Sequence, residues 1–133
     1  MAIKVSGTTV IDNSRNITNI ESATIDSITM PHYTNNNVSG TITLDVGANS
    51  MHTINMIDNI TIAFSNAAAG QTGVIVLNQD SSGGRTFSLG SAFKTPNGGA
   101  SISQSTGGST TSILSYTVLS SSNILVNYIG NFA

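Results

Sequence analysis

The residues able to carry reaction chemistry are few and scattered. Two histidines, His32 and His52, stand among six acidic residues and abundant serine. A catalytic nucleophile needs an adjacent base and a group that orients it. Neither a G-x-S-x-G elbow nor an H-E-x-x-H pair occurs. His52 alternates with Ile54 and Met56 in MHTINM, which predicts a strand end or a subunit contact. His32 follows Pro31 and reads as a loop residue. Asp12, Asp26, Asp45 and Asp58 lack the spacing of a calcium loop. With no cysteine there is no disulfide, thiolate nucleophile or thiolate metal site.

Other candidates have plainer readings. Asp80 and Arg85 flank Ser81-Ser82-Gly83-Gly84 and are placed to close a turn as an ion pair, a contact worth little when exposed. Asn97-Gly98-Gly99 and Thr106-Gly107-Gly108 do not join a strand to a helix, so they read as surface loops rather than phosphate cradles. Tyr33, Tyr116 and Tyr128 could form a sugar-stacking platform, but Trp is absent and aromatic residues are only 5%, which weighs against one. The expectation is a non-enzymatic chain with no catalytic, cofactor or metal site.

The elements that would position these residues follow from composition. The 133 residues suit one domain with an appended arm. Ser, Thr, Asn and Gly supply nearly half the chain and charged residues only 8%. Disorder of the usual kind combines low hydrophobicity with high net charge; here the hydrophobic fraction is 38% and the net charge −2, so the chain is expected to fold. Ile, Val and Thr favour pleated surfaces, and Ser and Asn favour turns. The fold class is therefore all-β. Lys4, Arg15, Arg85 and Lys94 form no basic patch, which argues against nucleic acid. No apolar stretch approaches a membrane span, and the opening MAIKVSGTTV lacks the apolar core of a secretion signal.

The spacing predicts an extended N-terminal arm over residues 1–40 and a β-sandwich over 41–133, with a jelly-roll-like topology leading. A helix over 17–30 is the alternative for the arm, disfavoured by its Thr, Ser and Asn. No solenoid repeat covers the whole chain. MHTINMI and ITIAFS flank Asp58-Asn59, read as a two-residue hairpin turn. In the second strand Ile60, Ile62 and Phe64 share one face. GVIVLNQD reads as a central strand turning through 81–84 into RTFSL. SILSYTVL and NILVNYIG form a closing hairpin about Ser120-Ser121-Ser122.

IKVSGTTVIDNSRNITNI resembles the opening of virion proteins of tailed bacteriophages, cyanophages especially, which often begin I-K-V-x-G-x-T-V-I-D-x-S-R-N-x-x-N-I. Val5, Gly7, Thr9, Val10, Ile11, Asp12, Ser14, Arg15, Asn16, Asn19 and Ile20 carry the match. HTINMIDNITIAFSN, GVIVLNQDSSGGRTFSLGSAFK and the closing NYIGNFA resemble a β domain of phage fibre, tail and capsid-surface proteins, with Gln79, Asp80, Gly84, Arg85 and Thr86 as the sharpest match. Those relatives usually carry a Trp where Leu89 and Phe93 stand nearest here.

The resemblance implies a virion structural protein on the capsid exterior, assembled in the host cytoplasm. Its first reading is a capsid decoration (cement) protein clamping neighbouring capsomers. The alternative is a tail, fibre or receptor-binding component, and a soluble carbohydrate-binding or hydrolytic module is third. Expected partners are the chain itself, as a homotrimer, and the major capsid protein or other virion proteins. The arm would adhere to neighbouring chains through Val5, Val10, Ile11, Arg15, Ile17, Ile20, Ile25 and Ile28.

Overall fold

The computed structural model describes residues 3–5, 8–11, 29–99 and 101–133, the first two segments as backbone alone. β1 (Ile3–Val5) and β2 (Thr8–Ile11) pair antiparallel as a separate two-stranded sheet. The remaining strands are β3 (His32–Asp45), β4 (Met51–Ser65), β5 (Thr72–Asn78), β6 (Phe87–Leu89), β7 (Phe93–Lys94), β8 (Thr111–Ser120) and β9 (Asn123–Phe132). They form one seven-stranded sheet in the order β3-β4-β5-β8-β9-β7, with β6 joined to β4. The fold is all-β, as composition implies.

Its strand order differs from a jelly roll. β3 lies parallel to β4, and β4 lies parallel to both β5 and β6. Parallel neighbours in one flat sheet need a crossover of a dozen or more residues. Here β3 and β4 are separated by only residues 46–50. The strands satisfy both facts by coiling. His32 pairs with Met51, nineteen positions on, and Thr41 with Thr61, twenty on. The first part of β4 then pairs with β5, Met51 beside Val74, and its second part with β6, Ile60 beside Phe87. Each long strand thus contributes to two walls, bending between them.

The bend in β4 falls at the exposed triplet Ile57–Asn59. Asp58-Asn59 is therefore no hairpin turn: β4 runs unbroken through it. Asn59 binds this corner to the next level, its Oδ1 accepting from Thr86 N (2.9 Å) and Thr86 Oγ1 (3.1 Å), while Ile60 N donates to Thr86 O. The expected β5–β6 hairpin is likewise absent, because residues 79–86 carry the chain from one wall to the other. Gln79 makes that crossing with its side chain, which accepts from Arg85 N (3.0 Å) and donates to Arg85 O (2.7 Å).

Alternation along the walls builds the core. His52, Ile54 and Met56 point inward before the bend, and Ile60 and Ile62 after it. Ile75 and Leu77 from β5, Leu114, Tyr116 and Val118 from β8, and Ile124 and Val126 from β9 complete it. Edge-to-face contact of Phe64 with Tyr116 (4.8 Å between ring centres) and of Phe64 with Phe93 (4.9 Å) joins the walls. β8 and β9 form the antiparallel hairpin read from the sequence, with Ser120 opposite Asn123. Laid on β5, this hairpin closes one end of the coil. The fit at the junction is tight: a Cβ on Gly73 would fall on Ser50 O and the Tyr116 hydroxyl.

The arm–body boundary expected at 40/41 falls inside β3, which pairs with β4 from His32 onward. The helix alternative over 17–30 lies outside the described residues, apart from Thr29 and Met30.

Candidate interaction surfaces

The residues that could do chemistry are dispersed by the fold. His52 is the second residue of β4, at a strand end as expected, and is 1% exposed in the core. Its place in the inward row with Ile54 and Met56 buries it between Tyr33 of β3 and Ile75 of β5. Neither ring nitrogen has a well-formed hydrogen bond among the described residues. Burial holds its pKa below the usual imidazole value, and nearby His32 acts the same way, against opposing effects of the Asn49 backbone and the Asp45 carboxylate. His32 is not in a loop but opens β3, exposed, with Nε2 2.9 Å from Thr53 Oγ1.

The tyrosines form no platform. Tyr116 is buried, Tyr33 is 55% exposed on β3, and the Tyr128 hydroxyl accepts from Ser105 N and shares a hydrogen bond with Ser112 Oγ (both 2.8 Å). Asp80 and Arg85 pair as expected, with Arg85 Nη2 2.7 Å from Asp80 Oδ2. Arg85 holds the Asp80 carboxyl below its ordinary pKa, aided by backbone amides at Gly83 and Ser82. Among the described residues no three His, Cys, Asp or Glu side chains come together to hold a metal ion. Of the residues expected to form an assembly interface, Val5 lies on β1, and Val10 and Ile11 on β2. Arg15, Ile17, Ile20, Ile25 and Ile28 lie outside the described residues.

Surfaces remain, and three features distinguish them. The first is a polar ladder on the outer face. Asn55 Nδ2 donates to Asn36 Oδ1 (2.6 Å), Asn78 Nδ2 to Asn55 Oδ1 (2.7 Å) and Thr111 Oγ1 to Asn78 Oδ1 (2.8 Å). One row of side chains thereby stitches four successive strands, the hairpin included.

The second is the β8–β9 hairpin itself. Leu119, Leu125, Ile129 and Phe132 are each about half exposed. No Asp, Glu, Lys or Arg occurs after Lys94. Beyond Leu125, the β9 side away from β8 carries no partner strand among the described residues. Edge strands are usually guarded by charge or proline, and this one has neither.

The third is the open end of the coil at β3, the last strand of its sheet. A cavity of about 200 Å³ opens there between Tyr33, Asn35, Thr43, Leu44, Asp45 and His52. Asp45 shapes its rim: Oδ1 accepts from Gly47 N (3.0 Å) and Ala48 N (3.1 Å). Its pKa is lowered chiefly by a hydrogen bond from the Asn66 side chain, with those amides assisting.

Residues 5–119 match the family described as "Putative phage tail fibre C-terminal domain". The chain belongs to this family. It is a structural component of a phage virion, as the opening motif and the Gln79–Thr86 segment implied. No curated protein and no solved structure matches the chain.

Proposed function

We propose that this chain is a tail-fibre module and acts without enzymatic chemistry. The family match over residues 5–119 carries the reading and favours the fibre alternative over capsid decoration. The coil supports it mechanically. In a stack of parallel strands the main-chain hydrogen bonds run along the stacking direction, with strands ~4.8 Å apart. Tension along the stack is then borne by many backbone bonds at once, and here by the Asn36–Asn55–Asn78–Thr111 ladder as well.

The β8–β9 hairpin suits contact between copies in a homotrimer. A face bearing Leu125 and Ile129 with no charge of either sign meets a copy of itself without repulsion. Burial of this stripe would also cover the unguarded edge of β9.

Electron microscopy of virions labelled with an antibody to this chain tests the assignment. Label on the tail fibres is the expected result. Label spread over the head would overturn it in favour of a decoration role. Sedimentation equilibrium of the purified chain should give the mass of three copies, and a monomer mass across the accessible concentrations would remove the trimer.

A further inference from the structure

Segment 85–89, which ends in β6, has its two backbone edges finished by different means. Thr86 O accepts from Ile60 N, so Thr86 and Ser88 turn their backbone groups to β4. In a pleated strand the intervening residues Arg85, Phe87 and Leu89 turn theirs the other way. No strand pairs there among the described residues, and side-chain amides take its place. Gln79 Oε1 accepts from Arg85 N (3.0 Å) and Gln79 Nε2 donates to Arg85 O (2.7 Å). Two residues on, Gln104 repeats the arrangement, with Oε1 accepting from Phe87 N and Nε2 donating to Phe87 O (both 2.7 Å).

Leu89 is the third rung, and no amide of the chain reaches it among the described residues. It lines instead a cavity of about 390 Å³, together with Phe93, Thr95, Ser101, Ile102 and Gln104. Ligand sites occupy ~300–1,000 Å³, and this space is of that order. Phe93 and Ile102 pack against the core and wall it with apolar surface, and no described lining residue is charged. Its occupant must be neutral, apolar along its flanks, and carry a donor and an acceptor side by side. A glutamine side chain meets all three demands, as the two preceding rungs demonstrate.

We propose that this cavity receives a glutamine side chain from another polypeptide. Its Oε1 accepts from Leu89 N, its Nε2 donates to Leu89 O, and its methylenes lie along Phe93 and Ile102. A second copy of this chain cannot supply it. The chain has three glutamines, and the third, Gln71, is engaged at Ala68 N and Asn66 O. The partner is thus a different protein. Under the fibre reading it is another component of the virion; the chemistry of the site stands without that reading. An extended peptide does not add here as a strand, because Arg85 and Phe87 are already occupied.

Nuclear magnetic resonance on the isotope-labelled full-length chain tests the site. The probe is a capped Ala-Gln-Ala peptide ending in an N-methylamide, so that glutamine bears its only primary amide. Matched peptides carry glutamate or leucine at the central position. The expected result is saturable shifts of the Leu89 and Ser101 amide signals with the glutamine peptide, and slower hydrogen exchange at Leu89. Glutamate, ionised at neutral pH, keeps the acceptors but has no donor, and should bind about tenfold more weakly. The leucine peptide should give no saturable shift. Equal shifts with leucine would mean that the cavity reads only apolar bulk, and would overturn the proposal. So would shifts confined to residues outside the cavity, or none up to the solubility limit of the peptide. Antibody labelling of virions decides the fibre reading separately, so the two fail independently.

Discussion

The two ends of the coil are finished differently. At one end β5 is covered by the antiparallel β8–β9 hairpin, and Ile75 and Leu77 are wholly buried beneath it. At the other, β3 offers Asn35, Val38 and Ile42 partly open, with a cavity lined by Tyr33, Asn35, Leu44 and His52 at its start. The contrast shows that a parallel stack does not end by itself. Each level leaves a fresh edge and a fresh apolar row, and only strands that reverse direction bring the stack to a close.

The sharpest way to break this comparison is to truncate one inward residue at each level. Ile54→Ala empties a fully buried site and is expected to cost about 4 kcal/mol. Val38→Ala, at the partly open level, is expected to cost about 1 kcal/mol. Urea unfolding of both variants checks the difference, and equal losses would mean that the β3 end is as well covered as the core.

A smaller effect of opposite sign is expected at the closed end. The Tyr116 hydroxyl is buried against Gly73 with no hydrogen-bond partner among the described residues, and burial pushes its pKa up. Removing an unpaired buried hydroxyl recovers its desolvation cost, so Tyr116→Phe should stabilise by about 1 kcal/mol. A lowered melting temperature for this variant would show that the hydroxyl has a partner.

The smallest effect belongs to His52, beneath the open end. Its folded pKa is depressed, so between that value and the unfolded value near 6.5 the unfolded chain binds more protons. Stability should therefore be full at neutral pH and fall as pH drops through about 6.5. Denaturant midpoints between pH 7.5 and pH 5 should show the decline, and His52→Gln should flatten that part of the profile.

Much of this architecture was legible in the chain. The inward face of Ile60, Ile62 and Phe64, the Asp80–Arg85 pair and the closing hairpin all followed from local alternation and turn chemistry. The coil did not. Its levels differ in length, eighteen to twenty positions from β3 to β4 but twenty-three from β4 to β5 and twenty-seven from β4 to β6. A drifting period erases the self-similarity by which solenoids are recognised. Asp58-Asn59 misled for a related reason: residues that tolerate a tight turn serve equally at a corner where the strand bends and continues. His52 does stand at a strand end, but its burial was not read, because an imidazole in an apolar row is weighed by its polarity, whereas the strand's alternation decided its side. Its inward-facing neighbours Ile54 and Met56 were the available signal.

The uncharged stretch after Lys94 has a consequence for the conditions such a module tolerates. Dissolved salt weakens attraction between charges by shortening the distance over which they are felt, to about 10 Å at 0.1 M. Contacts made by Leu125, Ile129 and Phe132 offer it nothing to weaken. A joint formed there would hold its grip from dilute fresh water to concentrated brine.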